Sequence, residues 1–196
     1  MPLGNQLHFT SSLFAFRINK VPAEHKYARI EYERRFLCEQ FPPDASVVRV
    51  RRIMDRYISG TLLRLREQSD PGGPKTFKLT QKVGGNPGGA QQGLITSMYL
   101  TEDEFDILAN LPGKKLSKTR YSVPPFGIDV FEGPLQGLLL AEAEFDSTAE
   151  ANALVVPSFI GQEVTRDNRF TGGRLVCASQ QDLETWLSEY GIRLRS

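Results

Sequence analysis

Histidine is nearly missing from this chain. The two that occur among its 196 residues, His8 and His25, both precede the first segment with a regular pattern. With no histidine in the body of the chain, Ser/His/Asp and Cys/His nucleophilic arrangements are excluded. Cysteine is as scarce: Cys38 and Cys177 are too few and too far apart for a metal-ligand spacing or a disulfide framework. Both sit among apolar neighbours and read as buried free thiols of a reducing compartment. No apolar run is long enough to span a bilayer. The stretch from Met1 to Lys20 has neither the basic start nor the apolar core of a signal peptide, so the expectation is a cytoplasmic protein with no membrane partner. Neither sign of charge dominates. Twenty-four Lys and Arg against 23 Asp and Glu leave +1, which speaks against a general nucleic-acid binder.

What is present is ordinary globular composition, 40% hydrophobic and 24% charged, in a length that suits one domain. Residues 1–28 read as an N-terminal extension, and 29–196 as a single domain including a C-terminal helix. Ile30 to Phe36 alternates: Glu31, Glu33 and Arg35 face one way, and Ile30, Tyr32, Arg34 and Phe36 the other. Val47–Ile58, rich in arginine, reads as an irregular strand. In Thr61–Arg66, Leu63 and Leu65 share one face and Arg64 and Arg66 the other. Thr76–Lys82 places Lys78, Thr80 and Lys82 together, and Gly84–Gly93 reads as a mobile loop without a P-loop pattern. Thr101 and Glu104 make a capping box for a helix whose stripe is Phe105, Leu108 and Leu111, ended by Pro112-Gly113. Lys118–Val123, Ile128–Phe131 and Leu138–Phe145 are further strands. The last of these places Glu142 and Glu144 on the face of Leu138 and Leu140. Ser147 with Glu150 makes a second capping box, and Gln181–Tyr190 is an amphipathic closing helix in which Trp186 and Tyr190 pack. Strands with polar residues on one face and apolar residues on the other imply a mainly β, α+β protein: an antiparallel sheet closed around a polar, charged interior, with helices packed outside.

The inward set divides by strand. Glu31, Glu33, Asp129, Glu142 and Glu144 are acidic; Arg35, Arg64, Arg66, Lys78, Lys82, Lys118 and Arg120 are basic. Either set alone would suffer strong self-repulsion in a desolvated space. Carboxylates hold hard ions such as Mg2+ or Mn2+, and Arg and Lys hold phosphate oxygens. The division therefore suits a polyanion bound partly through divalent cations, and phosphoryl transfer to water. Glu102, Asp103 and Glu104 are helix-start acids with no catalytic weight. Glu163 and Asp167 read equally as a structural turn or as support for the site.

Glu31-Tyr32-Glu33-Arg34-Arg35 resembles the Glu-x-Glu-x-Lys signature of the CYTH domain, the triphosphate tunnel metalloenzymes. The likeness continues through Leu63–Arg66, Leu79–Lys82, Lys118–Tyr121, Ile128–Phe131, Ala141–Glu144 and Gly161–Thr165 with Asp167, from about Ala28 to about Leu175. It implies an eight-stranded antiparallel barrel with Mg2+ or Mn2+ as cofactor and inorganic triphosphate as substrate, in a monomer or homodimer. By that likeness Glu31, Glu33, Asp129, Glu142 and Glu144 are metal ligands. Arg35, Arg64, Arg66, Lys78, Lys82, Lys118 and Arg120 grip phosphates, and Glu31, Glu33, Arg35 and Lys82 are catalytic. The family also includes thiamine triphosphatases and adenylyl cyclases, and a module that holds polyphosphate or nucleotide without turnover is a further alternative. The chain departs from the pattern twice. Arg35 stands where the signature has Lys, so the charge is kept but a proton acceptor at neutral pH is lost. Thr171-Gly172-Gly173-Arg174 replaces an Asn-rich segment, so no substrate contact is assigned to that loop.

Overall fold

The computed structural model describes residues 26–41, 43, 46–84 and 91–194, without the side chains of residues 91 and 92. The N-terminal extension lies outside these residues except for its last three. Eight strands carry the fold: β1 (Arg29–Leu37), β2 (Arg49–Ile58), β3 (Leu63–Ser69), β4 (Lys75–Gly84), β5 (Gln91–Leu100), β6 (Gly113–Val123), β7 (Phe126–Phe131) and β8 (Leu139–Phe145). They close in the order β1-β5-β4-β3-β2-β6-β7-β8, every neighbour antiparallel.

Two boundaries differ from the sequence expectation. Gln91–Leu100 is a full strand, although Gly84–Gly93 reads as a loop. Its faces mix polar with apolar residues (Ile95, Ser97 and Tyr99 against Leu94, Thr96 and Met98), so the alternation gives no signal. β6 starts at Gly113, well before Lys118. β2, expected to be irregular, is a regular ten-residue strand.

The inward face changes character along each strand. On β1 it runs Glu31, Glu33, Arg35, Leu37; on β8, Glu144, Glu142, Leu140; on β7, Asp129, Phe131; on β6, Arg120, Lys118, Leu116. The charged interior therefore occupies part of the barrel's length. Leu37, Leu116, Phe131 and Leu140 fill one end and pack against Phe170, Leu175, Leu183 and Leu187. That stopper comes from a 3-10 turn (Asn168–Phe170) and the last two helices, α3 (Gly172–Leu175) and α4 (Gln180–Ser188). Trp186 and Tyr190 pack edge-on against Phe170, as their place in the closing helix implies. Ser179 and Asp182 form the capping box of α4.

A second core, with Phe36, Ile128, Ala141, Ala143 and Ile160, lies on the outer face of β1, β7 and β8. α2 (Thr148–Asn152) packs there against β1 and β8. Ser147 caps it as expected, but the Glu150 carboxylate reaches the Asp146 N–H at 3.2 Å, not that of Ser147, so the box is only half formed. α1 (Glu102–Ala109) has its capping box but buries no residue. Of its expected stripe, Phe105 stacks on Phe77 at 4.6 Å, while Leu111 lies exposed. The thiols also divide: Cys38 is buried, and burial pushes its thiol up to about 11, but Cys177 is exposed, against expectation. Among the described residues no helix is long and apolar enough to cross a membrane.

Gly172, the first residue of α3, lies against the phenol of Tyr57 on β2, and a Cβ there would sit 2.0 Å from the Tyr57 hydroxyl. Gly172→Ala is expected to push Tyr57 out of place at a cost of about 1–3 kcal/mol, read as a lower thermal midpoint. The same change in a Tyr57→Phe background is expected to cost less, and an equal cost would count against this contact.

Candidate active site

One cavity of about 340 Å³ gathers the charged interior. Glu31, Glu33 and Arg35 of β1, Arg64 and Arg66 of β3, Lys82 of β4, Lys118 and Arg120 of β6, and Glu142 and Glu144 of β8 all line it. Two sequence-derived candidates do not. Asp129 is fully buried behind the wall, where it accepts from Lys118 and from Arg120 Nε at 2.6 Å. Lys78 shares the inner face of β4, but its ammonium lies over the Tyr99 ring, 4.8 Å from the centroid, outside the cavity lining.

Pairing across the barrel follows from register. β1 pairs with β8, setting Glu33 opposite Glu144 and Arg35 opposite Glu142. Lys82 reaches β1 across β5, its chain passing over Gly93, where a Cβ would lie 3.5 Å from its Cε. The Lys82 ammonium is 2.7 Å from Glu31 and also donates to Glu33. Arg120 donates to Glu142 as well as to Asp129. Arg35, only 2% exposed, donates Nη1 to the Phe170 carbonyl at 2.9 Å and Nη2 to the Thr165 carbonyl at 2.8 Å, with Nε 3.2 Å from Glu33. The Thr165 hydroxyl accepts from the Arg35 N–H at 3.0 Å. Glu163 turns outward to accept from Arg34 and from Thr165, and Asp167 holds Arg169 and Tyr190, so both build the turn that clamps Arg35.

Electrostatically the acidic wall is unevenly served. Burial would raise the Glu142 carboxyl, but Lys118, Arg120, Lys82 and Arg35 hold it well below the usual range. Glu144 goes the other way: burial raises it, and so do the neighbouring charges of Glu31 and Glu142. Lys82 loses through burial and gains more from Glu33 and Glu31, so its ammonium is held charged. As placed, no three acidic, histidine or cysteine side chains among the described residues converge closely enough to hold a metal ion. The donor chemistry nonetheless fits one: four carboxylates border one cavity, a lysine cation already stands between two of them, and a third is crowded by like charge.

No family model matches the chain. A curated inorganic triphosphatase from Nitrosomonas europaea is 33% identical to it over 147 residues, which are 71% of this chain and 92% of that protein. The chain belongs to the inorganic triphosphatase family. Two solved structures are similar. The hypothetical protein NE1496 gives a TM-score of 0.50 at 29% identity over 76% of this chain and 99% of its own. The inorganic triphosphatase NE1496 gives 0.49 at 26% identity over 76% and 95%.

In this member of the inorganic triphosphatase family three features escape the sequence reading. Asp55, 1% exposed on β2, accepts from Arg66 through Nε (2.7 Å) and Nη2 (2.8 Å) and lies 3.7 Å from Arg64. Arg51, opposite Arg120 in the ladder, has a buried Nε with no hydrogen bond. Burial and the charges of Arg49 and Arg120 lower its pKa. The alternation Arg51-Ile53-Asp55-Tyr57 is the signal that could have found both. The third correction concerns Thr171, Gly172 and Gly173, which line the cavity although the sequence assigns that loop no contact.

Burial alone would raise Asp55, but Arg66 and Arg64 bring it down from 3.8 to about 2. A depressed carboxyl contributes its stability, here roughly 2 kcal/mol, in full above the unfolded value and loses it as pH falls toward the folded one. Asp55→Asn also leaves a buried guanidinium unpaired, so its expected cost at neutral pH is about 3–5 kcal/mol. Thermal melts are expected to show the gap from the parent narrowing between about pH 4 and about pH 2. A gap that stays constant with pH would count against the pairing.

Proposed function

We propose that this chain hydrolyses inorganic triphosphate to diphosphate and phosphate in a reaction that depends on Mg2+ or Mn2+. The observation that carries this reading is the near cancellation of charge around one cavity. With Lys78 set aside because its ammonium lies outside the cavity, Arg35, Arg51, Arg64, Arg66, Lys82, Lys118 and Arg120 meet Glu31, Glu33, Asp55, Asp129, Glu142 and Glu144 in the cavity wall and directly behind it, leaving a single positive charge in excess. One charge is too little to neutralise a phosphate chain carrying several. A substrate of that class therefore needs divalent counter-ions in the site, and carboxylates are the side chains that hold such ions.

Glu31, Glu33, Glu142 and Glu144 would hold the ion, with Asp129 acting behind them through Lys118 and Arg120. Bound there, a divalent cation supplies Lewis-acid polarisation of a phosphoryl oxygen and a more acidic water. Arg64 and Arg66 of β3, with Lys118 and Arg120 of β6, grip non-bridging oxygens. Arg66 and Arg120 give Nε and Nη2 to their aspartates, which leaves Nη1 of each for the substrate. Arg35 has both Nη groups on backbone carbonyls, so its part is to fix Glu33 and not to accept a proton.

The test is phosphate release from inorganic triphosphate, ATP and thiamine triphosphate, each with Mg2+ and with Mn2+. The expected result is a strong preference for inorganic triphosphate, lost on chelation. Glu144→Gln is expected to lower kcat/KM by roughly a hundredfold or more with the fold intact. Binding of triphosphate without release of phosphate would overturn the reading in favour of a holding module.

A further inference from the structure

The acids around the cavity differ in how accessible their cationic partners are. The side chains that serve Asp55, Asp129 and Glu142 are buried or nearly so: Arg66 is 12% exposed, Lys118 7% and Arg120 13%. Glu31 and Glu33 are as deeply placed, at 4% and 10% for their side chains, but Lys82, which bridges them, is 42% exposed. Its ammonium sits on the cavity side of the pair like a stopper on two buried carboxylates. The stem is unbranched and passes over Gly93, where no side chain blocks a swing. The Arg64 guanidinium, whose Nε is buried without a hydrogen bond, and Arg66 line the same cavity.

We propose that Lys82 is the displaceable counter-ion of the Glu31–Glu33 pair. While no divalent cation is bound, the ammonium neutralises the two carboxylates. When they take up an ion, Lys82 leaves them and turns into the cavity, where it adds its charge to the arginine side that meets the phosphate chain. Two like charges cannot share one pair of buried carboxylates at contact distance, so the positions are alternatives. Ion uptake thus delivers a cation to the substrate side, and the order it sets is ion before phosphate. This inference rests on the proposed ion-dependent reading of the site, and it concerns what Lys82 does before any substrate arrives.

Calorimetric titration with Mn2+, in the absence of triphosphate, tests it. Lys82→Met keeps the length of the stem and removes the charge, and it is expected to bind Mn2+ at least tenfold more tightly than the parent, although it hydrolyses triphosphate poorly. Lys82→Arg keeps the charge and is expected to bind Mn2+ no more tightly than the parent. Unchanged or weaker binding by Lys82→Met, or tighter binding by Lys82→Arg, would overturn the exchange while leaving the ion-dependent reading in place. No Mn2+ binding by any of the three proteins would overturn that reading too. If Lys82→Met does not fold, the parent decides: the Lys82 ammonium resonance is expected to shift when Mg2+ is added, and a resonance that stays put refutes the exchange.

Discussion

A barrel lined with charge is stable only if each buried ion finds an opposite one, because an isolated ion taken out of water costs several kcal/mol that packing cannot return. Most of the interior meets that demand, and Arg51 and Glu144, each crowded by like charge, are exceptions. Register sets the partners: Asp55 lies opposite Arg66, Arg120 opposite Asp129, and Arg35 opposite Glu142. A slip of one residue in any ladder would turn its charged set to the outside and leave the opposing set unpaired. Neutralisation within the barrel is therefore also what specifies its pairing.

Such a barrel has no core of its own, so its apolar residues must be buried elsewhere. Among the described residues most of them are buried in two places: the outer face of β1, β7 and β8 under α2, and the end where Leu37, Leu116, Phe131 and Leu140 turn inward. The second place divides the interior between chemistry and packing. The same face of one strand carries Glu33 and Arg35 and then, two residues on, Leu37 in the stopper. Rigidity at the stopper is transmitted to the carboxylates through single side-chain steps, which is how a site on strands keeps its geometry.

The barrel was legible because β1, β3, β6 and β8 alternate cleanly, and charged residues at every second position state which face is inside. β2 was less so. Its outer face carries Arg52, Met54 and Arg56, as polar as its inner face, and this hid Asp55 within an arginine-rich run. β5 was hidden by the glycines that precede it in the sequence, by Gly93 near its start and by mixed faces. The contribution of Thr171–Gly173 to the cavity wall depends on how Tyr57 seats α3, a contact between residues far apart in the chain, and no local pattern carries it. The charged residues were found as a set, but their divisions were not. That Asp129 is a buried partner and Lys78 lies outside the cavity depends on reach along the barrel, which alternation alone does not encode.

Arg35 shows what the departure from lysine brings. A lysine ammonium is a point charge with three donors and could not hold two carbonyls and a carboxylate in one plane; a guanidinium can. Here Nη1 and Nη2 hold the carbonyls of Phe170 and Thr165, and Nε lies 3.2 Å from Glu33 as an ion pair. Phe170 is a stopper residue, and it immediately precedes Thr171 on the cavity wall. One side chain therefore ties together a carboxylate of the site, the closed end and the wall segment. The exchange gives up a titratable amine for a rigid joint, and any proton that moves during turnover must be handled by another group or by water.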